Sequence, residues 1–243
     1  MKKRLIVLLL IFAVSVSILT ACNSNSESNP SRYSDDRVVT VYDEGAPTRY
    51  NFASSYDAYT KVYSKPGYYM EGIYDAPTGG KKYFDELGKS LLPWNWDTNP
   101  KEFYTRYKEI NGLTHTSDVL CEDATLASWS TRYDYDLPKN IVSAAKGNLN
   151  RFVEITISYK AKDDVSESCY VYLLDSTENS ATQSDWYHNE LTTNYKQYTA
   201  TLKVPARFMK DGSLYVVFNR TNNFKYGYFK DFVITIAFTD EVE

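Results

Sequence analysis

From Arg151 to the C-terminus, apolar and polar residues alternate with a period of two. Val153, Ile155, Ile157 and Tyr159 alternate with Glu154, Thr156 and Ser158, which predicts a half-buried strand over Phe152–Tyr159. Cys169–Leu174 repeats the pattern, with Val171 and Leu173 on one face and Tyr170, Tyr172 and Leu174 on the other. A polar loop is expected from Asp175 to Asn194. Tyr198, Ala200, Leu202 and Val204 then alternate with Thr199, Thr201 and Lys203 until Pro205 stops the strand. After an Asp211-Gly212 turn come Leu214, Val216 and Phe218, and last Phe232, Ile234, Ile236 and Phe238. Strands separated by turns, without helical patterns between them, predict an antiparallel sandwich.

The pattern before Arg151 is less regular. Arg37–Tyr42 reads as a strand, and Lys61–Tyr63 and Gly67–Tyr74 as strands around a Lys65-Pro66-Gly67 turn. Thr98-Asn99-Pro100 looks like a helix start, and Phe103, Tyr107 and Ile110 fall at i, i+4 and i+7, one face of a short helix. Leu91–Trp96 is apolar and aromatic without a clear period. The expected fold is mainly β, an antiparallel jelly-roll β-sandwich over 112–243 with an N-terminal elaboration, residues 37–111, that contains a short helix.

The extreme N-terminus has a different character. Met1-Lys2-Lys3-Arg4 is basic, an apolar run follows from Leu5 to Leu19, and it ends in Leu19-Thr20-Ala21-Cys22. The run is short for a membrane span, which needs about twenty residues, and has the marks of a secretory signal. Leu19–Cys22 resembles the lipobox of bacterial lipoproteins. The resemblance implies cleavage after residue 21, acylation of Cys22 (diacylglycerol and palmitate), and attachment to the extracytoplasmic face of the cell membrane. Residues 23–36 are rich in Ser, Asn and Glu and read as a flexible tether.

Loss of residues 1–21 leaves 24 Lys and Arg against 31 Asp and Glu, a net charge near −7. That balance argues against nucleic acid and anionic lipid headgroups as partners. Cys121 and Cys169 could close a disulfide outside the membrane or stay as buried thiols; neither has the spacing of a zinc site. Aromatic residues are abundant, with 23 Tyr, 11 Phe and 4 Trp. Tyrosine suits half-wet sheet surfaces, and both a β-rich fold and a binding surface account for the count.

Several segments resemble jelly-roll carbohydrate-binding modules. Leu191-Thr-Thr-Asn-Tyr-Lys-Gln-Tyr-Thr-Ala-Thr-Leu-Lys-Val-Pro205 is similar to their Thr-x-x-Trp-x-x-Tyr-x-x-x-Phe-x-Val-Pro segment. Tyr228–Ile234 resembles the closing strand, Val153–Ala161 an inner strand, and Glu122–Ser130 the opening Phe-Glu-x-Gly-x-x-x-x-Trp. Departures are Leu120-Cys121 for the usual Asn-Gly, Tyr195 for Trp, and Lys230 for the first Asp of the closing pair. The resemblance implies glycan binding, a buried Trp129, and a structural calcium between Glu122 and Asp231.

The residues themselves suggest where a sugar would sit. If Val171, Leu173, Val216 and Phe218 fill the core, Tyr170, Tyr172, Tyr215 and Asn219 share the opposite face, as a cleft or as cover for a second layer made by 37–111. Trp186 and Tyr187, beside Asp185, His188 and Asn189, are candidates for an exposed stacking platform, as are Trp94 and Trp96. No catalytic residue is expected. His115 and His188, the only histidines, lie in no nucleophile motif, and Gly-x-Ser-x-Gly, His-Glu-x-x-His and phosphate loops are absent. The sequence therefore reads as a tethered, non-catalytic glycan binder. An adhesion or assembly lipoprotein with a protein partner, and a sandwich-fold glycan hydrolase or lyase, are the alternatives.

Overall fold

A computed structural model describes residues 38–52, 58–95, 97–119, 124–126, 130–163, 168–177, 187–220 and 227–243. Trp186, Trp96, Trp129, Cys121, Glu122 and the whole segment 1–37 with Cys22 lie outside them.

Strands β1 (Val38–Asp43) and β2 (Ala46–Asn51) form a hairpin. Its two-residue turn, Glu44-Gly45, takes positive φ at both positions, which matches the twist of paired strands. With β3 (Tyr68–Tyr74), β4 (Lys82–Phe84) and β5 (Glu102–Glu109) they make a sheet of order β2-β1-β5-β3-β4. Only β1–β5 is parallel. One face buries Val39, Val41, Met70, Ile73 and Phe103 against Phe52, Phe84 and Trp94.

Two sequence expectations fail here. The helix expected from Thr98 is instead strand β5, and Lys61–Tyr63 forms no strand. Phe103 and Tyr107 are four apart, a spacing that puts residues on one side of a strand as well as of a helix. The aromatic and β-branched content of Phe103–Tyr107 decides for strand. The Pro66-Gly67 turn does form, with Gly67 at φ +80° and Tyr68 N–H donating to Lys65 O (3.0 Å).

The sandwich has one sheet of β11 (Tyr187–Glu190), β10 (Ser168–Asp175), β13 (Ser213–Arg220) and β8 (Ser130–Asp136), in that order. The other has β12 (Lys196–Pro205), β9 (Arg151–Asp163), β14 (Gly227–Val242) and β6 (Thr114–Val119), with β7 (Ala124–Leu126) also paired to β14. The chain passes back and forth between the sheets and every pairing is antiparallel, the jelly-roll arrangement. All five strands expected from alternation are present. The loop expected over 175–194 is overturned in part, because Tyr187–Glu190 within it form β11.

Inside, Val153, Ile155, Ile157, Tyr159 and Ala161 of β9 are fully buried, as are Val171, Leu173 and Phe218. Phe218 is central, with ring centroids 4.8 Å from Phe229, 5.0 Å from Phe232 and 5.2 Å from Tyr159. A bulge in β14, with Asp231 at φ +54°, lets Phe229 and Phe232 both point inward.

The helix of the described residues, α1 (Lys139–Gly147), lies in the 112–243 segment, not in the N-terminal elaboration where one was expected. Five consecutive residues, Ile141–Ala145, are buried. Its nine residues are shorter than the window over which a helical period stands out. α1 joins the two halves. Ser143 Oγ accepts from Met70 N–H (3.0 Å) and donates to Met70 O (3.2 Å). Asn148, just past the helix, accepts from Gly67 N–H (2.6 Å) and donates to Tyr68 O (3.0 Å) and Ala144 O (2.9 Å). Tyr69 and Ile110 belong to the sandwich core.

Candidate functional site

Residues paired across a ladder share a face, so the registers map the outer side of the β11-β10-β13-β8 sheet. One row runs His188, Tyr170, Asn219, Ser130. The next has Tyr172, Val217 and Arg132, and the third Leu174, Tyr215 and Asp134. The structure thus brings together four of the expected residues, Tyr170, Tyr172, Tyr215 and Asn219, and each is part-exposed. Their opposite-parity neighbours Val171, Leu173, Val216 and Phe218 fill the core as expected.

At the middle of this face Val217 points away from the sandwich core and is still only 3% exposed. Groups on this side of the sheet therefore cover it. Tyr172 and Arg132 stand on either side of it, and Tyr215 and Asn219 precede and follow it along β13. The Arg132 guanidinium carbon lies 4.4 Å from the Tyr215 ring centroid, a cation–π contact that fixes the ring. Arg132 Nε is 3.8 Å from Asp134 Oδ1, a loose and half-exposed ion pair. Arg132 and Asp134 were missed from sequence. Their signal was the alternation of Tyr133 and Tyr135 with Arg132, Asp134 and Asp136, which marks a strand with aromatics inward.

The layer made by residues 38–109 docks on α1 through β3. Trp94 is not a platform: it is 3% exposed and packs at 5.2–5.5 Å on Phe52, Phe84 and Phe103. Tyr187 opens β11 opposite Val171. Cys169 is buried in the core.

Comparison with known proteins adds the following. No protein-family model matches the chain, and no curated protein matches it in sequence. Among solved structures it is similar to the carbohydrate-binding module CBM4 at 18% identity, over 51% of this chain and 71% of that one, with a TM-score of 0.32. It is similar to TmCBM61, solved with β-1,4-galactotriose, at 8% identity over 56% and 72%, TM-score 0.27. The T13 particle of IBDV is similar at 9% identity over 80% and 60%, TM-score 0.35. Overlaps this loose decide nothing about a ligand.

The expected calcium pair is half visible. Asp231 is exposed, and its carboxylate takes the Lys160 ammonium at 2.9 Å, which holds its carboxyl below the usual range. Lys160 takes one of the two carboxylate oxygens, Oδ2. Among the described residues, no three His, Cys, Asp or Glu cluster as metal ligands. His115 and His188 fall on different sheets, β6 and β11, and are not brought together.

Proposed function

We propose that the chain is a lipid-anchored surface protein that binds a glycan, without cleaving it, on the outer face of β10, β13 and β8. The observation that supports this reading is the grouping of Tyr170, Tyr172 and Tyr215 around the buried Val217, with Arg132, Asp134 and Asn219 at hand. Aromatic rings offer apolar faces to sugar C–H bonds, and the amide, guanidinium and carboxylate groups suit sugar hydroxyls. These are capture elements, with no activated nucleophile among them.

Calorimetry against a panel of neutral polysaccharides tests the site. Tyr172→Ala and Tyr215→Ala are each expected to weaken the best ligand by about tenfold or more. Unchanged affinity in both variants would sink the assignment, and release of oligosaccharide products would replace binding with hydrolysis or lyase chemistry. The anchor has its own test. Cells fed a labelled fatty acid are expected to label the wild type and not Cys22→Ser, which should also leave the membrane fraction. A Cys22→Ser protein that stays labelled and membrane-bound refutes acylation at that residue.

A further inference from the structure

The outer face of the other sheet has a different chemistry. Some of the chain's lysines pair with a carboxylate. Lys65, Lys82, Lys160 and Lys203 do so, with Glu44, Glu86, Asp231 and Glu241. Lys162 of β9 and Lys230 of β14 do not. Among the described residues, no carboxylate lies within ion-pair distance of either ammonium; Asp231, held by Lys160, feels the Lys230 charge without contact. Both rest on one ring: Lys162 Nζ lies 4.9 Å and Lys230 Nζ 4.3 Å from the Tyr195 centroid. Lys162 also lies 4.8 Å from the Tyr228 centroid. A shared ring holds two positive charges close together and leaves their N–H donors for an incoming anion.

The same face continues as a strip of hydroxyls. Below Lys160 and Lys230 in the registers come Thr199 and Ser158, then Thr201, Thr156, Thr235 and Thr116 in one row across four strands. Their hydroxyls pair at 3.0–3.3 Å, Thr116 with Thr235, Thr156 with Thr201 and Ser158 with Thr199. Successive rows lie about 7 Å apart. The face is therefore a polar patch of two hydroxyl rows with a cationic, aromatic head.

We propose that this face is a second binding surface, separate from the tyrosine face of the other sheet, which takes an acidic polysaccharide by placing its carboxylate or phosphodiester groups at Lys162 and Lys230. Charge complementarity selects the anion. The hydroxyl rows beside the lysines offer hydrogen-bonding partners to neighbouring sugar units, and the net negative charge of the chain opposes a flat anionic membrane.

The test uses the purified protein with polygalacturonate, poly(glycerol phosphate), a neutral galactan, and vesicles of phosphatidylcholine and phosphatidylglycerol in equal parts. Wild type is expected to bind at least one acidic polymer with an affinity that falls as salt rises. Lys162→Gln/Lys230→Gln is expected to lose about tenfold or more of that affinity while Tyr215→Ala keeps it. Equal melting temperatures establish that the double variant is folded; if it is not, the single Lys230→Gln variant serves, with a smaller loss expected. Neutral-glycan binding reports on the tyrosine face alone, so the two surfaces can fail separately. The proposal is overturned if wild type binds neither acidic polymer, if the folded lysine variant binds them as well as wild type, or if only the vesicles are bound.

Discussion

Replacing Phe218 with alanine is expected to lower the free energy of unfolding by about 3–5 kcal/mol, the usual cost of removing a large buried aromatic. Phe218 is fully buried and its ring meets Tyr133, Tyr159, Phe229 and Phe232, from both sheets of the sandwich. A void there has rigid rings on several sides and little freedom to collapse. Urea unfolding measures the loss as a lower midpoint at unchanged slope. Tyr215→Ala, on the same strand but the opposite face, is the internal control, and should cost about 1 kcal/mol or less. A Phe218→Ala loss no larger than the control's would mean that the sandwich does not pack as described.

The second large effect is expected at Asp85, which is 2% exposed. Its Oδ1 accepts from Leu87 N–H and Lys89 N–H, both at 2.9 Å, and its Oδ2 takes the Lys139 ammonium at 2.7 Å. Burial pushes this carboxyl up, but the bonds from Lys139 and the two backbone amides outweigh it and hold it below the usual carboxylate range. Asp85→Ala strips both amides of their acceptor and is expected to cost about 2–3 kcal/mol. Lys139 is half exposed and adds little to that sum. The depressed acidity also fixes a pH window. The stabilisation is complete above the unfolded carboxyl's value, near 4, and is lost as pH falls through the lower folded value. Melting temperatures between pH 3 and 6 check this: wild type should lose more stability on acidification than Asp85→Asn. Parallel curves for the two proteins would exclude the linkage.

The sandwich strands were legible because each buries one face and wets the other, so a period of two is written into Val153–Tyr159 and Leu214–Asn219. Phe103 and Tyr107 show where that signal is degenerate, because a separation of four fits both periods. Helix α1 was not legible because nine residues are too few for its apolar side to stand out as a period. For the candidate site, Tyr170, Tyr172, Tyr215 and Asn219 followed from parity alone. That Arg132 stands across from Tyr172, with Val217 between them, depends on pairings among β10, β13 and β8 that no local pattern encodes. The lysine-bearing rings of Tyr195 and Tyr228 were hidden for the same reason.

Asn148 has a consequence for heredity. With one side chain it holds the Pro66-Gly67 turn to the end of α1, while Tyr69 and Ile110 reach into the sandwich. A recombination breakpoint near Ile110 would part these groups, leaving the sandwich with a bared helix and the β2-β1-β5-β3-β4 sheet with an open edge at Met70. Gene shuffling can therefore move residues 38–243 only as one cassette, and the tyrosine face travels with the β2-β1-β5-β3-β4 sheet wherever it is inherited.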